Sequence, residues 1–128
     1  MFLVKILCHT DYFAYICNIT ITNLFIIMVK HIILWTLNPE LSEEEKKNVK
    51  AGIKAGLEGL IGKVPGLIDV KVHIDGRLAS SNADVMLDST LESEEALKGY
   101  AVHPEHVAVA NGKVRPYTVQ RSCLDFEI

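Results

Sequence analysis

Val29-Lys30-His31-Ile32-Ile33-Leu34-Trp35-Thr36-Leu37 is apolar at nearly every position, so a strand formed here is covered on both faces and has no wet side. Such a strand belongs in the middle of a sheet. Asn38-Pro39-Glu40 ends it, and Ser42-Glu43-Glu44-Glu45 then forms a capping box, with the acids well placed against the helix dipole. Val49, Ile53, Leu57, Leu60, Ile61 and Val64 recur at steps of three and four and make one apolar helical stripe. Lys46, Lys47, Lys50, Lys54 and Glu58 are expected to point outward. Gly52, Gly56 and Gly59 weaken this helix by about 1 kcal/mol each against alanine. Tertiary packing, through close approach to a neighbour or room for a ligand, must offset them.

Beyond Gly62, Pro65 and Gly66, which stop the helix, Ile68, Val70, Val72 and Ile74 alternate with Asp69, Lys71, His73 and Asp75. That period of two is a half-exposed strand. Gly76 to Asn82 is a polar loop. Ala83 to Leu91 is predicted as the third strand, with Ala83, Val85, Leu87 and Leu91 facing one way, and a hairpin joins the two. Ser93 caps a second helix to about Val102, Pro104 restarts it, Asn111-Gly112 ends it, and Tyr117 to Ile128 is the last strand. The order β-α-β-β-α-β predicts a ferredoxin-like α+β fold, a four-stranded antiparallel sheet with both helices on one face and strands 1 and 3 central. Two helices cover one face only, so Ile32 and Leu34 need a second cover. A second copy supplies it, and two sheets packed face to face make an α+β barrel.

The 128 residues, 49% hydrophobic and 23% charged, suit one globular domain. A formal charge of −3 excludes a basic nucleic-acid binder. Cys123 alone falls in the patterned domain and is expected as a small buried hydrophobe, which fits a reducing, cytoplasmic setting. Met1 to Ile27 has no caps or period. Its uncharged run from Tyr12 to Val29 reaches membrane-spanning length, but Asn18, Thr20, Thr22 and Asn23 interrupt it and argue against a membrane anchor. Residues 1–27 are read as an extension of translated upstream sequence, with Met28 as the physiological start, and 28–128 as the domain.

Val29-Lys30-His31, the Val64-Pro65-Gly66-Leu67 turn, and above all Tyr100-Ala101-Val102-His103-Pro104-Glu105-His106-Val107 resemble the stress-responsive dimeric α+β barrel family. The likeness runs from Met28 to the C-terminus, and Tyr-x-x-His-Pro-x-His after the second helix is its most specific element. It implies a homodimer with a small apolar ligand pocket between sheet and helices, no cofactor and no metal. One member, a plant olivetolic acid cyclase, closes a linear polyketide by an aldol-type condensation. Carried over, its catalytic tyrosine falls on Tyr100 and its catalytic histidine on His106, with His31, Ile33 and Trp35 on the cavity wall. Val49 and Ile53 stand where that cyclase has bulky aromatics, so the substrate differs.

Physically, an imidazole could take a proton next to a carbonyl while a phenol bonds the developing enolate oxygen. The resemblance also leaves open a cofactor-free monooxygenase. Each residue has a bland reading as well. His106 is equally a core histidine bonded to a backbone carbonyl, Tyr100 ordinary helical core with Leu97, and His103 the residue that sets the helix break even where it touches the pocket. His103 and His106 with Glu105 lack further ligands for zinc.

Overall fold

The computed structural model describes residues 27–128; apart from Ile27, the expected extension lies outside them. Among the described residues no helix is long and apolar enough to cross a membrane. The elements are β1 (Val29–Leu37), α1 (Glu43–Glu58), β2 (Leu67–His73), β3 (Val85–Leu91), α2 (Glu94–Val102), α3 (Pro104–Val109) and β4 (Thr118–Glu127). The sheet is antiparallel throughout, in the order β2-β3-β1-β4, so the apolar β1 is central as its composition requires.

The capping box forms as read: Ser42 Oγ accepts from the Glu45 amide at 3.1 Å, and the Glu45 carboxylate accepts from the Ser42 amide at 3.0 Å. The helical stripe is shorter than its sequence pattern suggests. α1 ends at Glu58, Leu60 and Val64 are buried from the turns that follow, and Ile61 is exposed. Lys54 and Glu58 do not simply face solvent. Glu58 Oε2 accepts from the Val72 amide at 2.9 Å, while Lys54 donates to Glu58 at 2.8 Å and to the Val72 carbonyl at 2.9 Å. β2 is an edge strand, so these two side chains occupy backbone groups that an edge otherwise offers to another chain.

Two glycines set how closely the helices approach. A side chain at Gly56 would put its Cβ 2.8 Å from Val109 Cγ1, so that glycine admits α3 against α1 rather than the sheet or a ligand. Gly66 has φ +80° and a Cβ there would lie 2.6 Å from Ala96 Cβ, which makes it necessary on both backbone and packing grounds.

Four strand and helix expectations are corrected. The β2 register shifts between Leu67 and Asp69, so Leu67 is buried and Ile68 bulges outward, 46% exposed. β3 starts at Val85 rather than Ala83, because the Asp84 carboxylate accepts from the Leu37 amide at 2.8 Å and takes Asp84 into the loop. Asn111-Gly112 does not end the helical path: a π turn over Ala110–Val114 and a 3-10 turn over Arg115–Tyr117 carry it on to β4, which begins at Thr118. Cys123 is exposed, not buried, because every β4 residue after Thr118 is exposed.

The helices pack chiefly on β2, β3 and β1. Register places His31, Ile33 and Trp35 on the helix side with Ser89, Leu87 and Val85, and Ile32, Leu34, Met86, Leu124 and Phe126 on the other. Leu34, Leu124 and Phe126 are exposed there. The Lys30–Asp88 ion pair, at 2.9 Å, borders this open apolar face.

Candidate functional site

Between the β1 and β4 side of the sheet and the helical layer lies a cavity of about 530 Å³. β1 presents His31, Ile33 and Trp35 to it because they alternate onto the helix side; α2 supplies Leu97, Tyr100 and Ala101, and α3 supplies His106. Pro104 places His106 there. The chain breaks at His103, whose Nδ1 accepts from the Glu105 amide at 3.1 Å and caps α3, and the new helix turns His106 back beside Tyr100. The Tyr100 and His106 rings are tilted 39° with centroids 4.2 Å apart, and His31 meets Tyr100 edge-on at 5.9 Å.

Tyr100 is 1% exposed and its hydroxyl has no hydrogen-bond partner among the described residues. A buried donor left unpaired costs about 1 to 3 kcal/mol. Burial pushes the phenol up to about 12, so it stays protonated and able to donate. His106 Nδ1 lies 3.2 Å from the Ala101 carbonyl, which can only accept; the proton therefore sits on Nδ1 and the basic lone pair on Nε2. Burial holds this imidazole below its ordinary value, the Ala101 bond opposes that, and the positive fields of His31, Arg115 and Arg121 add to the lowering. His106 is thus both the carbonyl-bonded histidine of the bland reading and a cavity-lining group.

His31 bonds through Nδ1 to Asp125 Oδ1, and Cys123 Sγ lies 3.8 Å from the same nitrogen and 3.5 Å from the carboxylate. Asp125 holds the His31 ring in place through Nδ1. The thiol of Cys123 is raised, first by burial and then by Asp125, which disfavours a nucleophilic thiolate.

His31, Ile33, Trp35, Tyr100 and His106 are brought together; Val49, Ile53 and His103 are not. Val49 lines a separate shallow hollow with Leu41 and Gly52, Ile53 is wholly buried in the core, and His103 is spent as the α3 cap. Sequence reading missed Asp125, Arg115 and Arg121. Asp125 was readable only from register, which sets it opposite His31, and Arg115 reaches the cavity only because the helical path continues past Asn111-Gly112.

A ferredoxin-like sheet with helices on one face and a cavity at its β1–β4 side defines the class of protein. Residues 29–128 match the stress responsive A/B barrel domain, and the chain belongs to that family. No curated protein matches it in sequence. Among solved structures it is similar to a dimeric protein of unknown function with a ferredoxin-like fold from Bacteroides fragilis, 31% identical, with a TM-score of 0.73 over 79% of this chain and 96% of that one. A dimeric ferredoxin-like protein of unknown function from Thermobifida fusca is 23% identical, TM-score 0.67, covering 81% and 93%. The hydroxynitrile lyase from Passiflora edulis is 17% identical, TM-score 0.62, covering 80% and 94%, a likeness of fold.

Proposed function

We propose that the protein is a homodimeric α+β barrel whose cavity binds a small, largely apolar molecule carrying an oxygen acceptor. The observation that carries this is the buried Tyr100 hydroxyl, unpaired at the wall of a cavity about 530 Å³ in size. Native proteins rarely leave such a donor without a role, and an apolar pocket with a few convergent polar groups is the usual form of a ligand site. The open sheet face, with Leu34, Leu124 and Phe126, supports the dimer, as does the dimeric state of the Bacteroides fragilis neighbour.

The neutral fluorophore N-phenyl-1-naphthylamine tests the cavity: it is expected to bind the protein and to be excluded by Ala101→Trp, which fills the space from α2. Unchanged binding in that variant would remove the cavity reading. Sedimentation at micromolar concentration tests the dimer. A double substitution Leu34→Glu, Leu124→Glu is expected to yield single subunits, and a wild-type chain that already sediments as one subunit defeats the barrel.

A second reading, a cofactor-independent lyase or cyclase, is favoured by the pairing of His106 with Tyr100. Nε2 of His106 takes a proton from carbon beside a carbonyl; the C–H electron pair becomes the enolate C=C bond, and the Tyr100 hydroxyl donates to the oxygen that gains charge. Attack of that enolate on a second carbonyl is the aldol closure, and the reverse is cleavage. The Passiflora edulis neighbour is a lyase on the same fold. Solvent deuterium exchange into a β-diketone is expected to be faster with the protein and to fall about a hundredfold or more in His106→Ala. Exchange that survives the substitution rules this reading out.

A further inference from the structure

We infer that the cavity takes an organic acid, its apolar body against Ile33, Trp35 and Leu87 and its carboxylate held between Arg115 and Arg121. This deepens the ligand reading above and rests on it. Arg115 and Arg121 both line the cavity, and no aspartate or glutamate does. Among the described residues neither arginine belongs to an ion pair; Arg115 donates only to the Asn111 side-chain oxygen. The nearby acid, Asp125, is already engaged with His31 and Cys123. The chain as a whole carries −3, so two uncompensated cations at one cavity run against its composition.

The two arginines come from separate elements, the 3-10 turn and β4, and the helical path that leads into β4 brings both to the lining of one cavity. Both charges disfavour the cationic form of His106, which lines the same cavity. Both arginines are exposed, and their planar, two-pronged donors suit a carboxylate. The apolar floor and the unpaired Tyr100 hydroxyl ask for more than an inorganic anion: the occupant needs a hydrocarbon body and a second oxygen for the phenol.

The experiment is displacement of N-phenyl-1-naphthylamine from the full chain by octanoate and by octanamide, which differ in charge and little in shape. Octanoate is expected to displace the dye at roughly tenfold lower concentration, with the gap narrowing at high salt. Arg115→Gln and Arg121→Gln are each expected to close most of that gap while leaving octanamide unchanged. Equal displacement by the two ligands, or a gap that survives both substitutions, overturns the carboxylate inference and leaves the cavity reading standing. Dye that fails to bind, or binds equally to Ala101→Trp, removes the cavity reading and this inference together.

Discussion

The layer between sheet and helices is solid over β2 and hollow over β1 and β4. On the first side Ile53, Leu60, Val72 and Leu91 are at most 1% exposed, and Gly66 lets Ala96 come into contact. Lys54 and Glu58 close the β2 edge from α1. On the other side the helices stop short of β4, a cavity opens, and the polar groups gather: His31, Tyr100, His106, Arg115 and Arg121. One half of the sandwich is thus closely packed apolar core, and the other mixes buried apolar residues such as Trp35 and Leu87 with polar groups that are costly to bury and chemically useful. The open apolar face of the sheet, with Leu34, Leu124 and Phe126, lies opposite this cavity, on the side away from the helices.

The largest effect expected from this contrast is on the solid side. Ile53→Ala should lower the unfolding free energy by about 3 kcal/mol, through lost transfer energy and the cavity left behind. Ala101→Trp, on the hollow side, should stay within about 0.5 kcal/mol of wild type. Urea midpoints measure both, and equal losses would break the contrast.

Glu58→Gln should cost about 1 kcal/mol, a modest figure because the pair with Lys54 is partly solvated. It also changes the acid limb. Lys54, then the Val72 amide, hold the Glu58 carboxyl below its ordinary value in the folded state. A folded value below the unfolded one means the contribution is full above the unfolded pKa of about 4.3 and is lost as pH falls through the folded value. Wild type and Glu58→Gln should thus differ at pH 6 and converge toward pH 3. A constant difference across that range would show that Glu58 acts by packing alone.

Tyr100→Phe sharpens the comparison by separating stability from function. Removing an unpaired buried hydroxyl should raise stability by about 1 kcal/mol, while affinity for an oxygen-bearing ligand falls. Calorimetry with and without ligand reads both signs. A destabilised variant would mean that the hydroxyl has a partner in solution.

Which parts of this were legible in sequence follows the same division. β1, the capping box and the β-α-β-β-α-β order are local patterns of period and cap, and residues on the solid side follow them. The breaks came where tertiary demands act: the bulge at Ile68, which no alternation encodes, and the π turn, where Asn111-Gly112 ordinarily signals a stop. His31, Tyr100 and His106 were identified through motif resemblance, and helix and strand faces explain why they meet. Asp125, Arg115 and Arg121 depend on register and on that irregular turn, so period and spacing could not reveal them. Ile53 and Val49 were placed at the pocket by analogy with aromatics in a relative, whereas α1 turns Ile53 into the core and leaves Val49 near Leu41.

His106 offers the smallest effect and the finest test of the hollow side. Burial acts first on its imidazole and favours the neutral form; the charges of His31, Arg115 and Arg121 act the same way, and only the Ala101 carbonyl favours the cation. The folded value therefore lies below the unfolded value of about 6.5. Between the two, the unfolded chain binds the extra proton, so stability rises with pH through that window and is lost as pH falls below the unfolded value. A neutral His106 is also the form that can accept a proton at Nε2, so the charge environment that makes acid destabilising is the one that suits a base. NMR titration of the His106 ring should show a midpoint below 6.5, and His106→Asn should flatten the fall in thermal midpoint between pH 7 and 5. A midpoint at or above 6.5 would mean that this wall of the cavity is wetter and less positive than its geometry requires, and would weaken both the base and the carboxylate site built on the same residues.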